Sequence, residues 1–136
     1  MGRSLLGLLG AVLMLPPVLL TETDEHLYQA PINHPYVQKA LAFAVEKYNL
    51  DREDSSNYFN VMRVLKAQWK VSFRVEYHLK VELVKTTCEK VGEIKKYNKI
   101  KKCNVLQGNH KRPICYFRVV PDCVSFEMNV EIAVCV

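Results

Sequence analysis

The chain has 136 residues and an excess of basic side chains, with 19 Lys and Arg against 14 Asp and Glu, which gives a net charge of +5. This length is enough for one domain with its own hydrophobic core. The sequence contains no nucleic-acid-binding motif, and its single tryptophan, Trp69, offers little surface for base stacking. We therefore expect no nucleic-acid partner, and we expect no cofactor.

The first 20 residues have the layout of a secretory signal peptide. A positive charge at Arg3 precedes an apolar run from Leu5 to Leu20, and the acidic stretch TETDE follows. A membrane anchor is the alternative, but a run of about 16 residues interrupted by Pro16-Pro17 is short for a spanning helix, which needs about 20. The pattern predicts a signal peptide over residues 1–20, and therefore a secreted, extracellular protein with no membrane partner.

A flexible arm and then a helix are predicted after the signal peptide. Residues 21–33 are polar with little periodicity, which favours an arm. In HPYVQKALAFAVEKYN, apolar residues recur with helical spacing and form one stripe: Val37, Ala40, Leu41, Ala44, Val45 and Tyr48. Pro35 suits the first helical turn, and Asn33 or His34 can cap it.

Alternating apolar and polar residues then predict four strands. Alternation is irregular from Tyr58 to Trp69 and strict from Val71 to Leu83, as in a strand with one face on a core. Residues 89–112 are Lys-rich and predict a long loop, and two strands follow at 114–120 and 125–134. One helix followed by antiparallel strands predicts an α+β fold with the helix packed on one face of the sheet.

Five cysteines lie in the second half of the chain: Cys88, Cys103, Cys115, Cys123 and Cys135. A secreted protein matures in an oxidising compartment, so disulfides are expected. The odd number leaves at least one thiol unpaired or bonded to another chain. The gaps of 15, 12, 8 and 12 residues do not match the close pairs of a zinc site, so no metal is expected.

Three stretches resemble the type-2 cystatins, which are secreted inhibitors of papain-like cysteine proteases: VQKALAFAVEKYN, VEYHLKVELVKTTC and CYFRVVP. The resemblance covers residues 34–136 and implies the cystatin fold, a long helix packed on a four- to five-stranded antiparallel sheet. It also implies the disulfides Cys88–Cys103 and Cys115–Cys135. Cys123 has no counterpart in the family, and we expect it to be either a small buried residue or an intermolecular thiol.

The family inhibits by inserting an apolar wedge into the protease cleft, and this sequence departs from each part of that wedge. The first-hairpin pattern Q-x-V-x-G falls on Lys70, Val71, Ser72, Phe73 and Arg74, with all three defining residues changed. The second hairpin has Pro121, Asp122, Cys123 and Val124 in place of a Pro-Trp pair. The N-terminal glycine is also missing, because no glycine lies between Gly10 and Gly92.

These departures resemble the reproductive-tract branch of the type-2 cystatins, which keeps the scaffold and loses the first-hairpin motif. They imply weak or absent inhibition of papain-like proteases, with action by protein binding or assembly. The alternative is a working inhibitor with an altered wedge, in which Trp69, Phe73 and Val124 supply the apolar contacts. Legumain inhibition, which some members carry out through a Ser-Asn-Asp site, has its nearest match at Ser56-Asn57-Tyr58.

An enzyme is not expected, because no spacing joins His26, His34, His78 and His110 to Cys123 as a catalytic dyad. Lys70–Arg74 is expected to form a distorted turn that does not fit a papain-type cleft. Because no glycine holds that turn, the hairpin should open readily into one long strand, which is a route to a strand-exchanged homodimer. A disulfide through Cys123 is a second route to a homodimer.

Overall fold

The computed structural model describes residues 27–125 and 127–136. The predicted signal peptide and residues 21–26 of the predicted arm lie outside this part of the chain. The described elements, in chain order, are β1 (Leu27–Gln29), α1 (Pro35–Asp51), β2 (Asn57–Val71), β3 (Val75–Glu89), α2 (Tyr97–Ile100), β4 (Ile114–Pro121) and β5 (Met128–Cys135).

Helix α1 forms where the apolar stripe predicts it. His34 is its N-cap, and its Nδ1 accepts a hydrogen bond of 3.2 Å from the Tyr36 amide. All six stripe residues are buried, as the periodicity predicts. Within the described residues, no helix is long and apolar enough to cross a bilayer.

The five strands form one antiparallel sheet in the order β1-β2-β3-β4-β5, so each strand pairs with its neighbour in sequence. One face of this sheet packs on α1. The side chains at the centre of that face include Leu79 and Val81 of β3 and Phe117 and Val119 of β4, all at most 1% exposed. Each large apolar side chain buried there stabilises the fold by about 1.5–3 kcal/mol. The predicted α+β architecture with a helix on an antiparallel sheet is confirmed.

Two segments contain an element that the sequence did not predict. Residues 27–29, predicted to lie in a flexible arm, form β1 against Gln68–Lys70 of β2, and the Ala30 amide donates to the Ala67 carbonyl at 2.9 Å. Three residues are too few to show an alternation, and main-chain pairing with a partner about 40 residues away leaves no mark in local sequence. The predicted loop 89–112 contains the short helix α2, in which Ile100 is fully buried.

The carboxyl end of α1 is joined to β2 by one buried side chain, Asn49. Its Oδ1 accepts from the Phe59 amide at 2.7 Å, and its Nδ2 donates to the Phe59 and Val45 carbonyls at 3.0 Å each. Strand β1 covers only Gln68–Lys70 on the outer edge of β2, so Phe59 lies beyond it. The Asn49 amide therefore takes the place of a neighbouring strand at Phe59.

Candidate functional site

The β2–β3 hairpin turns at Ser72–Phe73–Arg74. Val71 pairs with Val75 as the last pair of the hairpin, and the Ser72 amide donates to the Arg74 carbonyl at 3.1 Å. The strict alternation from Val71 therefore does not mark one continuous strand, because a three-residue loop interrupts it. No described residue other than glycine has a positive φ, so the turn closes without the left-handed conformation that glycine favours.

Arg74 ties the hairpin tip to the far edge of the sheet. Its Nη2 lies 3.3 Å from Oε2 of Glu131 on β5, while Oε1 of the same carboxylate lies 3.0 Å from Nη2 of Arg118 on β4. The guanidinium also lies 5.8 Å from the centre of the Phe73 ring. Arg74 therefore presents its cation beside the side chain at the tip of the hairpin. Sequence reasoning missed Glu131, because a partner 57 residues away has no local signal.

The second hairpin loop follows Pro121, which pairs with Met128 across the β4–β5 junction. The Asp122 amide donates to the Glu127 carbonyl at 2.9 Å, and the Ser125 hydroxyl donates to the Asp122 carboxylate at 2.9 Å. Val124 is 94% exposed, and Cys123 is exposed with a free thiol. The loop therefore presents one apolar side chain and one reactive group to solvent.

The strand register places three segments at one end of the sheet, which we call the wedge edge: the start of β1 at Leu27, the tip at 72–74 and the loop at 122–125. Leu27 pairs with Lys70, one residue before the end of β2. Tyr77, two residues after the start of β3, pairs with Val119, two residues before the end of β4. Phe73, 93% exposed, and Val124 are the most exposed apolar side chains at this edge. The structure thus brings together the two hairpin segments singled out in the sequence.

Trp69 is not exposed at the wedge edge. It is half-buried and packs against the core. Its ring forms edge-on contacts with His34 at 5.1 Å and Tyr77 at 6.3 Å between ring centres. The prediction that Trp69 supplies an apolar contact to a protease is therefore not supported by its position.

The Ser56-Asn57-Tyr58 segment lies at the opposite end of β2. Asn57 Nδ2 donates to the Thr86 carbonyl at 2.8 Å, and its Oδ1 accepts from the Ser56 hydroxyl at 3.0 Å. Tyr58 is 4% exposed. Both polar atoms of the Asn57 side chain are therefore already bonded within the chain, which opposes insertion of this asparagine into a partner's pocket.

The histidines of the described residues have partners other than the thiol. His34 caps α1, and His110 Nε2 lies 3.1 Å from the Gln107 carbonyl. His78 hydrogen-bonds to the Tyr116 hydroxyl and lies 3.5 Å from the Glu76 carboxylate. Burial lowers the pKa of His78, although Glu76 acts in the opposite direction.

Two disulfides are present, Cys88–Cys103 and Cys115–Cys135, the pairs that the family resemblance implies. The first closes the loop after β3, and the second joins the paired strands β4 and β5. Each such cross-link typically adds about 2–4 kcal/mol by restricting the unfolded chain. Cys123 remains free and exposed, so the expectation that it is a small buried residue is wrong.

Comparison with known proteins agrees with this arrangement. Residues 26–120 match the family described as "Cystatin domain". A protein named Cystatin-1 from Crotalus adamanteus is 38% identical over 110 residues, covering 79% of this chain and 78% of that protein. A protein named Cystatin from Bitis arietans is 46% identical over 90 residues, covering 65% of this chain and 80% of that protein.

Among solved structures, the crystal structure of dimeric human cystatin F is similar, with a TM-score of 0.67 and 25% sequence identity. The match covers 81% of this chain and 85% of that chain. The fold, the family match over most of the chain and the sequence relatives all agree. The chain therefore belongs to the cystatin family, whose members are protease inhibitors that bind cysteine proteases and are not enzymes.

Proposed function

We propose that this chain is a secreted type-2 cystatin-like protein with weak or absent inhibition of papain-like proteases, acting by protein binding or assembly. The observation that carries this proposal is Arg74 at the tip of the first hairpin. In the family, a glycine at this position lets the backbone approach the enzyme closely. A long side chain at the same position holds the backbone away and brings a charge into an apolar contact.

The geometry of Arg74 adds to this effect. Its guanidinium lies beside Phe73 and is held there by Glu131, so a protease approaching the tip meets a cation with a counter-ion behind it. Burying that ion pair in an apolar cleft carries a desolvation penalty that the attraction between the two charges does not fully offset. Each altered position of the wedge is expected to cost about 1–3 kcal/mol, or one to two powers of ten in affinity.

Titration of papain, cathepsin L and legumain with the disulfide-bonded protein tests the proposal. We expect no inhibition of papain or cathepsin L at nanomolar concentration. We expect Arg74→Gly to improve inhibition by about tenfold or more, since it removes both the bulk and the charge at one hot spot. Glu131→Gln is the matched control, because it releases Arg74 without shortening it, and it should bring no gain. Nanomolar inhibition by the wild-type chain would contradict the proposal.

A working inhibitor with an altered wedge is the second candidate. It is favoured by the exposure of Phe73 and Val124, at 93% and 94%, at the same end of the sheet. If these side chains fill a protease cleft, Phe73→Ala should weaken inhibition at least tenfold. Exposed apolar Val91, which lies in the β3–β4 connection, offers the matched control as Val91→Ala. Absence of inhibition of all three proteases at micromolar concentration would rule this candidate out.

Legumain inhibition through Asn57 has the least structural support, and we propose that it is absent. This proposal rests on the two hydrogen bonds that engage the Asn57 side-chain amide. In the same titration we expect no legumain inhibition by the wild-type chain. Potent inhibition that is lost in Asn57→Ala would contradict this expectation.

The proposed location and branch rest on sequence features. Secretion rests on the predicted signal peptide over residues 1–20. The likeness to the reproductive-tract branch rests on the altered first-hairpin motif.

We also propose a homodimer, which can form by two routes. The first is exchange of β1, α1 and β2 through an opened hairpin, and the second is a disulfide between two Cys123 thiols. The exposed free thiol supports the second route, and the absence of glycine from the tip supports the first.

A further inference from the structure

The positive charge of this chain is concentrated in one segment, far from the wedge edge. Residues 89–113 contain eight Lys and Arg and two Asp and Glu, a net of +6. The whole chain carries +5, so the remaining residues together carry a net of −1. A charge distribution of this kind creates a local positive potential that attracts anionic partners.

The tertiary structure holds this segment in place. The disulfide Cys88–Cys103 closes its first half, and the buried Ile100 in α2 anchors it from within. Its second half is joined to β3 by two backbone hydrogen bonds of 2.9 Å, from the Thr87 amide to the Asn104 carbonyl and from the Leu106 amide to the Lys85 carbonyl. The Leu83 amide donates to the Pro113 carbonyl at 2.8 Å, directly after Lys111 and Arg112. Holding the backbone beside these two cations lowers the entropy lost when they bind a ligand.

A groove of about 740 Å³ opens between the last part of this segment, residues 109–113, and the body of the protein. Two of the segment's eight Lys and Arg, Lys111 and Arg112, line this groove. Its basic lining residues are Arg52, Lys85, His110, Lys111 and Arg112. Lys85 is half-buried, with its Nζ 5.8 Å from the centre of the Phe59 ring, and no carboxylate of the described residues lies within 4 Å of it. Lys111 and Arg112 are exposed and likewise have no carboxylate partner there, whereas Arg52 pairs with Asp54 at 3.2 Å.

We propose that this basic groove binds a sulfated polysaccharide. Lys85, Lys111 and Arg112 lie on one concave surface, and within the described residues no carboxylate lies within 4 Å of any of them. Guanidinium and ammonium groups bind oxyanions by charge-assisted hydrogen bonds. The two disulfides are of the kind that forms in an oxidising compartment, and sulfated polysaccharides are linear polyanions of the extracellular space. Single-stranded nucleic acid fits less well, because the aromatic ring lining the groove, Phe59, is 4% exposed and cannot stack a base.

The groove and the wedge edge lie at opposite ends of the sheet. Phe59 pairs with Lys85 near one end of the β2–β3 hairpin, and Val71 pairs with Val75 at the other. At about 3.3 Å per residue, twelve residues of strand separate the two ends by roughly 40 Å. Polysaccharide binding at the groove therefore leaves the wedge edge free, and its failure would not bear on the protease-binding proposal.

Binding of a size-defined heparin oligosaccharide to the disulfide-bonded protein, measured by calorimetry over a series of salt concentrations, tests the inference. We expect binding that weakens with salt and no binding to hyaluronan, which lacks sulfate. Lys111→Gln/Arg112→Gln should weaken heparin binding about tenfold and lower the salt slope by about two, one for each charge removed. Lys85→Gln should weaken it by a similar factor.

The matched control is Lys66→Gln/Lys80→Gln. It removes two exposed cations that face each other across β2 and β3, outside the groove, and so changes net charge equally. We expect less than about a twofold loss from this control. Three outcomes would overturn the inference: no heparin binding by the wild type, equal losses in the groove and control variants, or single-stranded DNA of matched charge binding as tightly as heparin.

Discussion

Replacement of Asn49 by alanine gives the sharpest test of how α1 is held against the sheet. The side chain is 5% exposed, and its amide bonds to both backbone groups of Phe59, which is itself 4% exposed. Asn49→Ala leaves that N–H and that carbonyl buried without partners on the open edge of β2. The third bond, to the Val45 carbonyl, matters less, because that carbonyl also lies within reach of the helical i+4 amide.

Each unsatisfied buried group costs about 1–3 kcal/mol, so we expect Asn49→Ala to lower the free energy of unfolding by about 2–5 kcal/mol. One kcal/mol shifts the Tm of a domain of this size by about 4 °C, which corresponds to a decrease of about 8–20 °C. Urea unfolding followed by far-UV circular dichroism measures the first quantity, and calorimetry measures the second.

The matched control for Asn49→Ala is Asn98→Ala. Asn98 is exposed in α2, and an exposed substitution of this type should change stability by less than about 0.5 kcal/mol. If Asn49→Ala stayed within 1 kcal/mol of the wild type, the backbone groups of Phe59 would have found water, and the role assigned to the Asn49 amide would be refuted.

Three further predictions concern assembly and pH. Size-exclusion chromatography with light scattering under reducing conditions should reveal a strand-exchanged dimer that Arg74→Gly diminishes, because glycine favours the tight turn; a strictly monomeric protein at high concentration would contradict this. Without reductant, a second dimer should appear that Cys123→Ser abolishes, and its persistence in that variant would exclude the Cys123 disulfide. Burial lowers the pKa of His78 below 6.5, so the unfolded chain binds more protons and stability should fall as pH decreases through 6.5. Urea unfolding at pH 7.5 and 5.5 should show a smaller decrease for His78→Gln, and an equal decrease would contradict the assignment.

Local patterns predicted much of the scaffold. The stripe from Val37 to Tyr48 has the period of a helix with one buried face, and all its members are buried because that face packs on the sheet. The alternation along β3 likewise identified the side chains that face the core, such as Leu79 and Leu83. These predictions succeed because periodicity is a property of neighbouring residues.

Contacts between distant residues had no such signal. The three residues of β1 become a strand only through the main chain of β2, and the turn at Ser72–Arg74 interrupts a pattern that continues unbroken through it. Phe59 on β2 obtains its backbone partners from the side chain of Asn49 on the helix. Periodicity along the chain does not predict any of these contacts, because the partner residue lies on another element.

The sequence by itself determined the family, the helix and the alternating faces of the strands, because these depend on residue type and spacing along the chain. Only the tertiary structure decided that Arg74 is held by Glu131, that Trp69 is turned towards the core, and that Lys85 shares a groove with Lys111 and Arg112. The physical reason is that ion pairs and grooves form between elements, where the register of the sheet, rather than the order of residues, sets the distances.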